Sequence, residues 1–150
     1  MNAVHRLMTV HHEYLARWLS DGRRADLDAF LNVHHPGFSL VTTDGEILGL
    51  DALRSGLSGS GGSRPGLSIA ISGLTRLGPE THRFLEQHVM GSEAVDARIV
   101  TCVLRGEHVI ALQETTRPLG HSCSGDEPPG AGSRPFSGPW FSAADPTRRA

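Results

Sequence analysis

The chain has no lysine. All fourteen of its basic residues are arginine, set against sixteen carboxylates, for a net charge of −2 over 150 residues. Arginine-only usage reflects GC-rich coding rather than function. A near-neutral balance leaves no electrostatic footprint for nucleic acid or for an anionic membrane surface. No apolar run approaches the roughly 20 residues of a bilayer span, and the opening MNAVHRLMTVHHEY lacks the uninterrupted apolar core of a secretory signal. Cysteine is equally scarce. Cys102 lies in a strand-like stretch and Cys123 in a polar one, so no disulfide is expected and a reducing cytoplasm is the expected compartment. Aromatic residues make up only 5% of the chain, and Tyr14 is the single tyrosine.

Cofactor and metal motifs are missing as well. There is no His-Glu-x-x-His and no Cys-x-x-Cys. His11-His12 and His34-His35 are adjacent pairs, and neighbouring residues on a helix face different ways. His82 and His88 share a strand face but stand about 20 Å apart at 3.3 Å per residue. The Gly-Ser-Gly-Gly-Ser run at 59–63 lacks the Lys-Ser/Thr ending of a phosphate loop, and Ser55 to Gly59 does not fit a nucleophile elbow. Neither a metal nor a cofactor is expected, and Cys102 reads as a small hydrophobe. His35, before Pro36, is expected to cap a helix end, where a cation meets the negative end of the dipole.

What is present is a clear order of elements. Val4, Leu7, Met8, His11, Leu15, Trp18 and Leu19 recur at three- and four-residue steps, predicting a helix that stops at Asp21-Gly22. On a helical wheel Tyr14 lies about 20° from Leu7 and belongs to this stripe, whereas His12 and Glu13 point away from it. A second helix is predicted from about Asp26, with Leu27, Phe30 and Leu31 inward, ending before Pro36. Phe38, Leu40 and Thr42 alternate as a strand, Asp44-Gly45 signals a two-residue hairpin, and Leu50, Leu53 and Leu57 mark a short third helix. Ser58 to Gly66 reads as a flexible connection by composition. Strands follow at Leu67–Ile71, Thr81–Met90, Asp96–Arg105 and Glu107–Arg117, joined as an antiparallel meander. From Pro118 to Ala150 the chain is rich in Pro, Gly and Ser and is expected to be disordered, apart from an aromatic patch at Pro135 to Phe141.

This order resembles the nuclear-transport-factor-2-like superfamily. Ala25 to Phe30 is similar to its "GDLDAL" element. His35 to Gly45 looks like the "HPDFTLVTPDGR" segment of the SnoaL-like and domain-of-unknown-function 4440 group. Phe84-x-Glu86-x-His88 resembles that group's "Y-x-E-x-Q" strand, and Gln113-Glu114-Thr115 lies where the group carries "HET". Over residues 3 to 117 the resemblance implies an α+β cone, a curved antiparallel sheet packed on about three N-terminal helices. Domain boundaries are therefore expected at 1–117 for the cone and 118–150 for the tail. It also implies a homodimer and an internal pocket for a small, largely apolar molecule.

Two function classes follow. The first is proton-transfer chemistry of the isomerase, cyclase or dehydratase type, with Glu86 or His88 as base and Tyr14 as hydrogen-bond donor. His11, Trp18, Phe84 and Met90 would line the pocket. Glu86 and His88, two apart on one strand, share a face, and burial would perturb both. The alternating pattern does not decide whether that face is inward; the resemblance favours it. In ketosteroid-isomerase members a tyrosine on the first helix stabilises the enolate, but here Asp44 sits in a hairpin signal and reads as a turn residue. Glu114 is placed to pair with an arginine such as Arg98. The second class is a non-catalytic interaction or scaffold module whose cavity is filled by its own side chains. No nucleic-acid or membrane partner is expected in either case.

Overall fold

In the computed structural model, residues 2–119 are described. The tail from residue 120 onward, with Cys123 and the aromatic patch at 135–141, lies outside the described residues. Helix α1 spans Ala3–Asp21 and is capped at both ends by its own sequence. The Asn2 side chain accepts from the His5 amide, and Gly22 takes a left-handed φ of 71° so that its N–H returns to the Trp18 carbonyl. Helix α2 covers Arg24–Asn32. Strands β1 (His34–Val41) and β2 (Ile47–Gly49), helix α3 (Leu50–Ser58) and strands β3 (Leu67–Arg76), β4 (Thr81–Met90), β5 (Glu93–Arg105) and β6 (His108–Thr116) complete the order.

The six strands form one sheet in the order β2-β1-β6-β5-β4-β3. The meander from β3 to β6 is antiparallel as expected, but β1 runs parallel to β6, so the sheet is mixed. Register shifts interrupt four of its five ladders, for example between His88 and Val89 on β4. Such bulges bend a sheet and give this one its curvature. The helices pack on its inner face over a core that includes Met8, Leu15, Leu19, Leu27, Phe30 and Phe84.

Four local expectations change. First, β1 starts at His34 rather than Phe38, passing through Pro36 in a bulge where the β6 register slips. Proline has no N–H to give a ladder, and the bulge asks for none. Secondly, His35 does not cap α2. Its Nδ1 accepts from the Gly37 amide inside that bulge, and His34 reaches the helix end instead, donating to the Leu31 carbonyl at 3.2 Å. Thirdly, the hairpin loop has three residues, Thr43 to Gly45. The Gly45 amide bonds the Thr42 carbonyl, and Gly45 adopts φ 82°. Asp44 sits exposed in the turn.

Fourthly, the Ser58 to Gly66 connection is pinned. Gly62 and Arg64 donate to the Trp18 and Leu19 carbonyls, Gly66 donates to Ser20 Oγ, and the buried Ser60 hydroxyl donates to the Leu57 carbonyl. The segment therefore satisfies the open carbonyls at the end of α1.

Candidate functional site: a buried carboxylate held by two histidines

Strand β4 turns Phe84, Glu86 and His88 toward the helices, and all three are buried. Alternation puts Glu86 and His88 on one face, and their side chains meet: His88 Nε2 lies 2.6 Å from Glu86 Oε1. From α1, His12 Nε2 stands 3.2 Å from the other oxygen, Oε2. That contact is an ion pair, so Oε2 has a charge partner although no well-aligned hydrogen bond reaches it.

The partners fix where the protons sit. His12 Nδ1 lies 2.8 Å from the Met8 carbonyl, which only accepts, so Nδ1 carries a proton. Nε2 faces a carboxylate, so His12 is an imidazolium. Burial is the largest influence and pushes its pKa down, but the Glu86 charge and contact, the Met8 hydrogen bond and the Glu114 charge together outweigh it, and the net shift is upward. For Glu86 burial pushes upward, and the His12 charge with the His12 and His88 contacts holds the carboxyl well below the ordinary range. A fully buried carboxylate is thus kept ionised.

Two more histidines continue the chain. His34 Nδ1 donates to the Leu31 carbonyl, leaving Nε2 as an acceptor for His11 Nε2 at 3.1 Å. His11 Nδ1 then accepts from His12 Nδ1 at 3.3 Å, sharing that proton with Met8. Both are neutral: burial first, then neighbouring charge, holds His11 well below its ordinary value, and burial takes His34 down to about 4. His11 stacks on Phe30 at 4.5 Å and His34 meets Phe38 edge-on at 4.4 Å, so the polar row runs through aromatic surroundings.

Across the sheet, Arg98 on β5 stands opposite Glu86 in register. Its Nε and Nη2 both contact Asp96 Oδ2, and Nη1 donates to Glu114 Oε2 at 3.0 Å. The sequence-level pairing of Glu114 with Arg98 is therefore present. Burial and then the Glu86 charge push the Glu114 carboxyl up to about 8 despite that arginine.

The sequence-selected residues divide into two sets. Glu86, His88 and Phe84 come together with His12, whose ring meets Phe84 edge-on at 5.6 Å. His11 joins through His12. Trp18 is occupied elsewhere, its indole N–H bonded to the Leu57 carbonyl and its ring against Gly61. Met90 is partly buried at the edge of the core. Tyr14 is not brought to Glu86. It lies two residues past His12, about 160° around the helix, and it is half-buried under the Arg17 guanidinium, 5.1 Å from its ring centre.

Helix α1 buries two faces rather than one, which overturns the outward placing of His12. Met8, His12, Leu15 and Leu19 form a second apolar-spaced row at steps of four, three and four, and that signal was available in the sequence. Among the described residues no cluster of histidine, cysteine and carboxylate is arranged to hold a metal ion. Burial pushes the Cys102 thiol up to about 11, so it is not a nucleophile near neutral pH.

No protein-family model matches the chain, and neither does any curated protein. Solved structures do. An NTF2-like protein of unknown function from Pseudomonas aeruginosa is 31% identical, with a TM-score of 0.70 over 78% of this chain and all of that one. The chain belongs to the NTF2-like family. More distant neighbours show the same fold. A SnoaL-like family protein from Agrobacterium tumefaciens, assigned as an isomerase, is 13% identical at TM-score 0.57, covering 75% of this chain and 98% of its own. A SnoaL-like protein from Jannaschia, named as a polyketide cyclase, is 12% identical at TM-score 0.54 over 77% of this chain and 89% of its own. No helix among the described residues of this NTF2-like chain is long and apolar enough to cross a membrane.

Proposed function

We propose that this NTF2-like protein binds a small, largely apolar molecule in its cone and moves a proton on it, with Glu86 as the base. The supporting observation is Glu86 itself: 0% exposed, kept ionised by His12 and His88, with an oxygen that has no hydrogen bond. Glu86 rests in the ionised form that a general base needs and is shielded from water, while the His12 charge that keeps it ionised also lowers its basicity. His88 orients Glu86, and His12 supplies the charge that keeps it deprotonated at rest. The resemblance of Phe84-x-Glu86-x-His88 to the SnoaL-like and domain-of-unknown-function 4440 strand supports the same class, isomerase, cyclase or dehydratase.

The test needs no natural substrate. In D2O, 2-tetralone exchanges its α-hydrogens, and an active-site base accelerates that exchange by taking a proton from carbon and returning a deuteron. The expected result, read by proton NMR, is exchange above the buffer rate for the wild type and a fall of about 10²–10⁴ in the enzymatic term for Glu86→Gln. Tyr14→Phe is expected to leave it unchanged. Equal rates for wild type, Glu86→Gln and buffer would remove the base assignment.

A second reading has its own support. Phe84 and Trp18 are both packed into the core, as a side-chain-filled scaffold module requires. That reading expects no exchange above buffer and a Glu86 whose replacement alters stability alone.

We also propose that the protein is a homodimer through the outer sheet face. Leu85, Val89, Ile99 and Val103 are partly exposed there, among polar neighbours. An antiparallel sheet covered by helices on one side leaves such a mixed face for a second layer.

A further inference from the structure

His11 and His34 are buried polar side chains that no pairing of charges explains. His11 stacks on Phe30, and His34 lies beside Phe30 and Phe38. An apolar side chain in such a place would need no hydrogen bond at all. Neither histidine bonds to Glu86; their bonds go only to each other, to His12 and to the Leu31 carbonyl.

The direction of those bonds is informative. At the outer end the Leu31 carbonyl only accepts, so His34 keeps its proton on Nδ1 and offers Nε2. At the inner end the Met8 carbonyl likewise holds a proton on His12 Nδ1. Between them the donors all point one way, from His12 to His11 to His34, over N···N distances of 3.3 and 3.1 Å. The three rings together carry one proton in excess, and it rests on His12 beside Glu86. Exposure rises along the row, from 0% at Glu86 through 1% at His12 and His11 to 4% at His34. The outer end meets the last turn of α2, and in the chain His34 lies between the exposed Asn32 and Pro36.

We propose that the His12–His11–His34 row is a proton relay, the route by which the buried Glu86–His12 pair exchanges its excess proton with solvent. Outward, the His12 Nδ1–H bond breaks as His11 Nδ1–H forms, and His11 Nε2–H breaks as His34 Nε2–H forms. His34 Nδ1–H then passes to a water. His11 and His34 each give one proton as they take one, so neither has to hold two. His12 is left neutral with Nε2–H still toward Glu86, and one proton has joined the solvent. The inward passage is the reverse. Both end carbonyls favour the loaded row, because after outward transfer Met8 and Leu31 face nitrogen lone pairs. The charges of Glu86 and Glu114 also hold the resting proton at the inner end. The weak proton affinity of His11 and His34 suits groups that pass a proton on without keeping it. The relay loads and unloads the pair without opening the core, and it stands whether or not Glu86 acts as a base.

The test uses the full chain labelled with nitrogen-15. Solvent exchange of the His12 Nδ1–H proton is followed by NMR and divided by that of the Leu15 and Ala16 backbone amides. Those amides lie in the next turn of α1 and exchange when the helix opens. His34→Gln is the decisive variant. Its amide offers Oε1 to His11 and N–H to Leu31, which preserves both hydrogen bonds, but an amide oxygen does not take up the proton. The ratio is expected to fall by about tenfold or more in His34→Gln and to stay within about twofold in His35→Gln, whose ring lies outside the row. A variant that loses stability raises both rates together, so the ratio still reads the relay. A ratio that is unchanged or raised in His34→Gln overturns the inference, and so does an equal fall in His35→Gln. A fallen ratio without exchange on 2-tetralone removes the base assignment alone; exchange on 2-tetralone with an unchanged ratio removes the relay alone.

Discussion

His34 has no room for a second proton. One ring nitrogen donates to the Leu31 carbonyl and the other receives from His11, with Phe30 and Phe38 packed edge-on around the ring. Unfolded, it takes a proton near pH 6.5; folded, only near 4. The unfolded chain therefore binds more protons throughout that window, and stability falls as pH drops through it. The loss from this one group is about 3 kcal/mol at roughly 1.4 kcal/mol per pH unit. His11, also held down, adds to the loss, and so does Glu86 at still lower pH, whereas His12 gains stability below its raised value. Glu114, pushed up to about 8, takes up its proton in the folded state across the same window and works in the opposite sense. The His34 effect is therefore read by difference: in urea unfolding at pH 7.0, 5.5 and 4.5 the stability of the wild type relative to His34→Gln is expected to fall as the pH drops.

Site residues differed in how visible they were in the sequence. The i, i+2 spacing showed that Glu86 and His88 share a face. It did not show which way that face points, because Leu85 and Val89 make the opposite face nearly as apolar. His12 went unread because the strongest stripe on α1 runs through Leu7, His11 and Trp18, and a helix wedged between a sheet and another helix buries two stripes. His34 was invisible for a different reason: one partner is the nearby Leu31 carbonyl, but the other, His11, comes from α1, and no local pattern encodes that contact.

Among the elements, the Ser58 to Gly66 connection shows how composition misleads. Glycine and serine usually signal slack, yet here they let the backbone lie close against α1. A Cβ on Gly61 would stand 2.5 Å from Trp18 Cη2. That ring is fixed by its bond to Leu57, so it does not move aside. Gly61→Ala is expected to cost about 1–3 kcal/mol by overpacking, measured by chemical denaturation. Gly59→Ala, where an added Cβ meets nothing within 4 Å, is the neutral control. The Asp-Gly hairpin was legible as a turn, and only its length differed, because a left-handed Gly45 closes a loop of three residues rather than two. The helices and the β3 to β6 meander were readable from periodicity alone.

At the scale of the molecule, sequence order could not reveal that β1 is parallel to β6. The two strands share no turn, and each alternates in the same way whichever neighbour it has. The outer face of the meander was legible as mixed, and the dimer proposed for it has a direct measurement. Ile99 sits between Leu85 and Thr115 in register on that face. Ile99→Arg is expected to convert a dimer to a monomer in sedimentation equilibrium while leaving the far-ultraviolet circular dichroism unchanged. A wild type that sediments as a monomer removes the dimer.

The β1–β6 pairing also sets a timetable. Leu40 and Leu112 lie side by side although they are 72 positions apart in the chain, so this seam closes one of the largest loops in the molecule. Loop closure must be met before such a contact returns any stabilisation. Helix α1 and the β3–β4–β5 hairpins can organise locally, but β1, with β2 and His34 attached, has no place in the sheet until β6 is laid down. On the ribosome the first third of the chain therefore waits, its apolar strand uncovered, for the last strand to emerge. An unpaired apolar strand is an aggregation hazard for as long as that interval lasts.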